Sequence, residues 1–124
     1  MSELKVFVCK HCGALVESLV TAGSLTCCGE KMTELTANTV DAAKEKHVPE
    51  VTREGNHLKV QVGSVLHPME EKHYIQFVIV KQGKRTQRVD FAPGETPAAE
   101  FNIADGPAAV YEYCNLHGLW KAEC

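Results

Sequence analysis

Cys114 and His117 lie three residues apart in YEYCNLHGLW, a spacing that lets one Gly-containing loop turn a thiolate and an imidazole toward a single metal. Three further histidines stand at comparable places: His47 in KEKHVPE, and His67 and His73 in LHPMEEKHY. All four border loops or strand ends, where a site can be built on a rigid scaffold. Pro49 and Pro68 restrain the backbone beside two of them. A separate group occupies the first 30 residues, with Cys9 and Cys12 in CKHCG and Cys27 and Cys28 in TCCGEKM. A C-x2-C knuckle followed by two more cysteines is a tetrathiolate pattern, whose soft sulfurs and tetrahedral preference suit zinc or iron. The residues after Cys12 are expected to free backbone amides for the sulfurs. The second pair is adjacent, and neighbouring side chains normally diverge, so ligation by both should distort the tetrahedron. A zinc ribbon that only staples the segment fits the same spacing, and a vicinal Cys27–Cys28 disulfide would be strained. His11, between the knuckle cysteines, reads as an exposed side chain.

The elements that must position these residues follow from periodicity. The chain has 124 residues, enough for one domain or for a small module joined to a larger one. Residues 1–36 carry short β-like pieces (KVFVC, ALVESLV, SLTCC) and too little apolar surface to fold unaided, so a metal, a partner or both must hold them. Residues 37–49 form a polar connector in which VDAAKEK suits one helical turn. From about residue 50 the pattern has period two, with Leu58, Val60 and Val62 on one face of HLKVQVGS. YIQFVIV, TQRVDF, AAEFNI, AAVYEYC and LWKAEC read as further strands, with KQGK as a turn and APGETP as a loop. The expected fold is all-β: a small metal module followed, over 50–124, by an antiparallel β-sandwich.

Bulk chemistry narrows the function. The net charge is −3, and residues 1–36 hold three lysines against four glutamates, so a phosphate-binding patch is not expected and nucleic acid is disfavoured as a partner. The longest aliphatic or aromatic run, FVIV, is too short to span a bilayer, and MSELKVFVC does not read as a signal peptide. A cytoplasmic location is expected. In a reducing compartment, six cysteines signify metal ligation rather than disulfides.

The segments CKHCG, TCCGEKM, EKHVP, GSVLHPMEEKHYI and EYCNLHGLWKAE run across the whole chain, and together they resemble the desulfoferrodoxins, the two-iron form of superoxide reductase. The adjacent-cysteine module resembles desulforedoxin, and the remainder resembles the immunoglobulin-like catalytic domain. The resemblance implies two iron ions per chain. One is a distorted tetrathiolate at Cys9, Cys12, Cys27 and Cys28. The other, the active iron, has His47, His67, His73 and His117 in a plane and Cys114 on the axis. It further implies catalytic roles for Lys46 and Glu45, a rubredoxin-like electron donor, and a homodimer.

Four neutral imidazoles and one thiolate around ferrous iron leave a net charge of about +1 and an open position that attracts a small anion such as superoxide. The opposing thiolate pushes electron density to the metal, as in haem–thiolate enzymes. The implied reaction consumes superoxide, one electron and two protons and yields hydrogen peroxide, releasing no oxygen. Lys46 would steer the anion and orient a proton-delivering water, although by composition Lys72 is its equal. Glu45 would offer a hard oxygen ligand once the iron is ferric. Asn115, Leu116 and Gly118 shape the terminal loop, whose amides can reach the Cys114 sulfur. Tyr113 and Trp120 read as core aromatics, His57 as a turn residue, and Cys124 as a free thiol at a mobile end. The alternatives are a rubredoxin-like electron carrier, which leaves the histidines unexplained, and a zinc-stapled binding module. A two-histidine–carboxylate iron enzyme fits Cys114 poorly.

Overall fold

The computed structural model describes residues 4–20 and 23–124 and, at Glu45, the backbone alone. The chain divides into two compact units, residues 2–36 and 37–124. In the first, strands β1 (Val6–Val8), β2 (Leu15–Glu17) and β5 (Thr33–Glu34) form an antiparallel sheet in the order β2-β1-β5. A two-residue hairpin of β3 (Thr26–Cys27) and β4 (Glu30–Lys31) carries the second cysteine pair. The large apolar side chains buried in this unit are Leu4, Val6 and Met32. So small a core falls short of the ordering entropy of some 35 residues, which is why such a module needs a metal staple.

The second unit begins with a single helical turn, α1 (Lys44–His47), at the end of the expected VDAAKEK turn. Seven antiparallel strands follow in two sheets. One has the order β10 (Ala98–Asn102), β7 (His57–Val62), β6 (Pro49–Glu54), and the other β12 (Gly118–Glu123), β11 (Ala109–Cys114), β8 (Ile75–Gln82), β9 (Arg85–Asp90). Three strands against four is the immunoglobulin-like arrangement. Strand β7 shows the alternation read from sequence: Leu58, Val60 and Val62 point into a core shared with Ile75, Val78, Val80, Phe101 and Val110. Strand β6 was not among the expected strands, because PEVTRE offers no apolar run; its register against β7 from Pro49↔Val62 to Glu54↔His57 supplies the pairing.

Cys124 is not at a mobile end. Its N–H donates to the Ala108 carbonyl at 3.0 Å, Ala108 N–H donates back at 2.9 Å, and its half-buried side chain packs on the sandwich core. His57 opens β7 rather than lying in a turn, and its Nε2 meets Glu100 Oε1 at 2.7 Å. Among the described residues no helix is long and apolar enough to cross a membrane.

Candidate metal centres

The structure brings the donor atoms of His47, His67, His73, Cys114 and His117 within 4.8 Å of one another. Each comes from a distinct local device. His47 ends α1, and its Nδ1–H donates to the Ala43 carbonyl one turn back at 2.7 Å. His67 follows a loop tied by its own N–H to the Val62 carbonyl, and its Nδ1–H donates to the Pro68 carbonyl at 2.6 Å. Both bonds fix the tautomer and leave Nε2 as a lone pair facing the centre. His73 closes a tight turn in which it and Glu70 exchange N–H···O bonds of 3.0 Å. Cys114 ends β11 where the pairing with β8 slips by one residue, from Tyr113↔Phe77 to Cys114↔Ile75, leaving Gln76 of β8 as the extra residue. His117 stands in the β11–β12 hairpin just before Gly118, whose φ of +82° is a left-handed conformation glycine adopts without penalty.

The imidazoles form a ring. Neighbouring centroids are 4.7 Å (His47–His67), 4.6 Å (His67–His73), 5.0 Å (His73–His117) and 4.8 Å (His117–His47), with interplanar angles of 74–87°. His47 and His73 face each other across it at 6.5 Å, longer than the sides by about the square root of two, as in a square. His47 Nε2 stands 3.1 Å from both His67 Nε2 and His117 Nδ1. Nitrogens 3.1 Å apart along an edge put the centre of such a square about 2.2 Å from each, against ~2.0–2.1 Å for a metal–imidazole bond. The Nε2 of His73 is buried and has no hydrogen-bond partner among the described residues, as suits a nitrogen meant for a metal. Cys114 Sγ lies 3.8 Å from His117 Nδ1.

Electrostatics prepare the set for a cation. Burial lowers the pKa of His67 to about 4 and also lowers those of His47 and His73, so these imidazoles are neutral at physiological pH. Burial raises the Cys114 thiol, while the backbone amides of Leu116 and His117, both aimed at its sulfur, pull it down. A metal therefore has one proton to displace. Trp120, fully buried, stacks on His47 at 5.0 Å and donates its indole N–H to the His117 carbonyl at 3.0 Å. It braces two of the ligands, a role beyond that of a core aromatic. Tyr113 instead stacks on Phe77, away from the ring of histidines.

The other cluster is Cys9, Cys12, Cys27 and Cys28. Sulfur–sulfur distances of 3.7 Å (Cys12–Cys27) and 3.9 Å (Cys27–Cys28) match the edge of about 3.8 Å expected of a tetrahedron with ~2.3 Å metal–sulfur bonds. The adjacent cysteines converge because Cys28 takes a left-handed φ of +52°, next to Gly29 at +76°. For a non-glycine residue that conformation costs about 1–2 kcal/mol. In the knuckle, Gly13 N–H donates to the Cys9 carbonyl at 2.9 Å. The amides addressing the Cys9 sulfur are those of Cys12 and His11, within the knuckle rather than after it, and they lower its pKa to about 6. Cys27 is pushed up to about 12 because the neighbouring sulfurs of Cys12 and Cys9 press it to keep its proton. His11 is exposed and pairs with Glu30 at 3.0 Å, outside the cluster.

Lys46 is exposed on α1, and its positive charge is among the influences lowering His47 and His73. The side chain of Glu45 lies outside the described residues. One buried group was missed in the sequence. Glu112, on β11 between the inward-facing Val110 and Cys114, is fully buried, and both carboxyl oxygens lack a partner among the described residues. Burial raises its pKa well above the ordinary value. The period-two pattern of AAVYEYC already placed an acid on the core face.

Both clusters fit iron in donor type and spacing, and comparison with known proteins agrees. The family model for desulfoferrodoxin matches residues 39–123, and that for the desulfoferrodoxin N-terminal domain matches residues 1–35. A desulfoferrodoxin of Syntrophotalea carbinolica is 50% identical over 98% of this chain and 97% of its own length. A superoxide reductase structure from Treponema pallidum superposes with a TM-score of 0.77 at 36% identity, covering 98% of this chain and 99% of that one. The one-iron superoxide reductase of Giardia intestinalis covers 65% of this chain and 98% of its own, with a TM-score of 0.57 and 36% identity. With matches across both units, this chain belongs to the desulfoferrodoxin family.

Proposed function

We propose that the chain is a superoxide reductase, converting superoxide, one electron and two protons to hydrogen peroxide. The observation that carries this is the square of four imidazoles with the Cys114 sulfur beside it. An electron carrier or a stapled binding module has no use for it. His47, His67, His73, His117 and Cys114 are assigned to one iron, and Cys9, Cys12, Cys27 and Cys28 to the other. Iron at the histidine site supplies the single electron.

The chain's own residues do the rest. The neutral imidazoles leave the bound cation's charge uncancelled except by Cys114, so the site attracts anions. The amides of Leu116 and His117 hold negative charge on the sulfur. Lys46, whose charge reaches His47 and His73, draws superoxide inward and holds a proton-donating water at Nζ. The influence of its charge on those two rings favours it over Lys72. Glu45 is assigned as a carboxylate oxygen ligand for the oxidised metal, and an oxidised spectrum unaltered in Glu45→Ala would remove that role.

The electron comes from a small redox protein, for which a rubredoxin-like carrier is the candidate; rapid re-reduction of the oxidised chain by rubredoxin is the check. The tiny core of the first unit and the exposure of Leu19 (85%) and Val20 (81%) support a homodimer, to be read as a two-chain mass in sedimentation equilibrium. Six free thiols suit the reducing cytoplasm, and cell fractionation tests that location.

The decisive experiment is metal counting with visible spectroscopy, followed by pulsed superoxide. Two irons per chain, a thiolate-to-ferric band appearing on oxidation, and peroxide formed without oxygen are expected. One zinc per chain and no band from Cys114 would overturn the assignment.

A further inference from the structure

His47 and His67 each carry a hydrogen bond from Nδ1 to a backbone carbonyl, and the His117 segment is held by the Trp120 indole. His73 differs: among the described residues its ring makes no such bond, and its buried Nε2 is unpartnered. With no hydrogen bond on its ring, its orientation rests on its backbone and on packing against the neighbouring imidazoles. Beyond the exchange of its own N–H and carbonyl with Glu70, the residues on either side of it are held by one side chain. Asn115 donates from Nδ2 to the Lys72 carbonyl at 3.0 Å and accepts at Oδ1 from the Tyr74 N–H at 2.9 Å, and its own N–H donates to the Tyr74 carbonyl at 3.3 Å. Asn115 sits directly after Cys114 and two residues before His117, so the same side chain that brackets His73 belongs to the hairpin carrying two of the other four ligands.

We propose that Asn115 is a positioning residue for the histidine-cysteine metal site, the clamp that fixes His73 relative to Cys114 and His117 in place of a hydrogen bond on the His73 ring. The inference rests on the metal-site assignment above, not on the turnover of superoxide. An amide is the side chain that suits the task, because it presents one donor and one acceptor to two peptide groups that flank a single residue. Alanine removes both bonds. Aspartate keeps the acceptor for Tyr74 N–H but turns an acceptor toward the Lys72 carbonyl, breaking half of the clamp.

The test is competition between the full-length iron-loaded chain and a strong ferrous chelator, with both sites followed spectroscopically. In Asn115→Ala the iron affinity of the histidine site is expected to fall about 10–100-fold, the usual effect of losing a residue that orients a ligand. The thiolate-to-ferric band should shift, while the tetrathiolate retains its iron and its spectrum. Asn115→Asp should fall between Ala and the parent. An unchanged affinity and band position in Asn115→Ala, even with a lowered melting temperature, would show Asn115 to be merely structural. Equal iron loss from both sites would likewise overturn the proposal. If Asn115→Ala does not fold, Asn115→Asp alone decides: unchanged affinity and band refute the clamp. Since the chelator assay involves no superoxide, failure of the catalytic reading would leave its outcome intact.

Discussion

Replacing Glu112 should stabilise the sandwich, and the gain should grow with pH. Its carboxyl lies in the core opposite Val78 and Trp120, with both oxygens unpartnered among the described residues. A buried polar group without a partner costs about 1–3 kcal/mol. Glu112→Met fills a similar volume and removes that cost. For a unit of this size, roughly 4–8 °C in melting temperature per kcal/mol makes the expected rise about 4–24 °C. Ionisation adds a second contribution. Burial raises the folded-state pKa above the unfolded one, so the native state holds its proton longer and stability falls as pH climbs. The decline begins near the unfolded value of about 4.3, continues at up to about 1.4 kcal/mol per pH unit, and levels off above the raised folded value. Glu112→Gln cannot ionise but keeps a buried polar group, so it should abolish the slope while recovering little of the pH-independent cost. The assay is thermal unfolding of the iron-loaded chain from pH 4.5 to 8, followed by fluorescence. Trp120 is the only tryptophan, and the signal therefore reports residues 37–124 alone. A Glu112→Met protein less stable than the parent throughout, with a pH-independent difference, would refute the reasoning and show that the carboxyl is ionised and paired.

Lys46→Ala should slow superoxide capture and flatten its dependence on ionic strength while leaving the spectra intact; stopped-flow or pulsed-superoxide rates across salt concentrations check this, and an unchanged salt slope removes Lys46 from the mechanism. Cys114→Ser should abolish the long-wavelength thiolate band of the oxidised histidine site but preserve the tetrathiolate bands, as read by visible absorption. Gly118→Ala puts a Cβ 3.3 Å from Val40 Cγ2 at a φ of +82°; the left-handed backbone alone costs about 1–2 kcal/mol, to be seen in the same fluorescence melt.

Much of the scaffold was legible, some of it from apolar runs such as YIQFVIV and some from alternation, as in β7. Leu58, Val60 and Val62 announce a half-buried strand without reference to anything distant. Strand β6 announces nothing, since its polar alternation becomes a strand only when β7 offers a partner. Residue type, loop placement and spacing marked the candidate ligands, the family resemblance sorted them into two sets, and the structure brings each set together. Their bracing was not legible. The His47–Trp120 stack joins residues 73 apart in sequence, and the Asn115 clamp depends on where the His73 turn comes to rest. The left-handed backbone at Cys28 resolves the problem posed by adjacent cysteines, and no pattern of residue types predicts that such a cost will be met. Glu112 was readable in principle, as an acid at the inward parity of an apolar strand.

The two clusters differ in how far apart their ligands lie along the chain, and this sets an order of assembly. Cys9 to Cys28 span a stretch that is synthesised before the sandwich and has almost no core of its own, so it gains structure by capturing a metal. Unformed thiolates select by softness and supply, and they accept whichever thiophilic ion arrives first. His47 to His117 come together only after nearly the whole sandwich has closed. That site meets its metal already shaped, with bracing that was complete beforehand, and selects by fit. Mismetallation during overproduction should therefore concentrate in the N-terminal module, and the ratio of zinc to iron there records the cell's metal supply during synthesis.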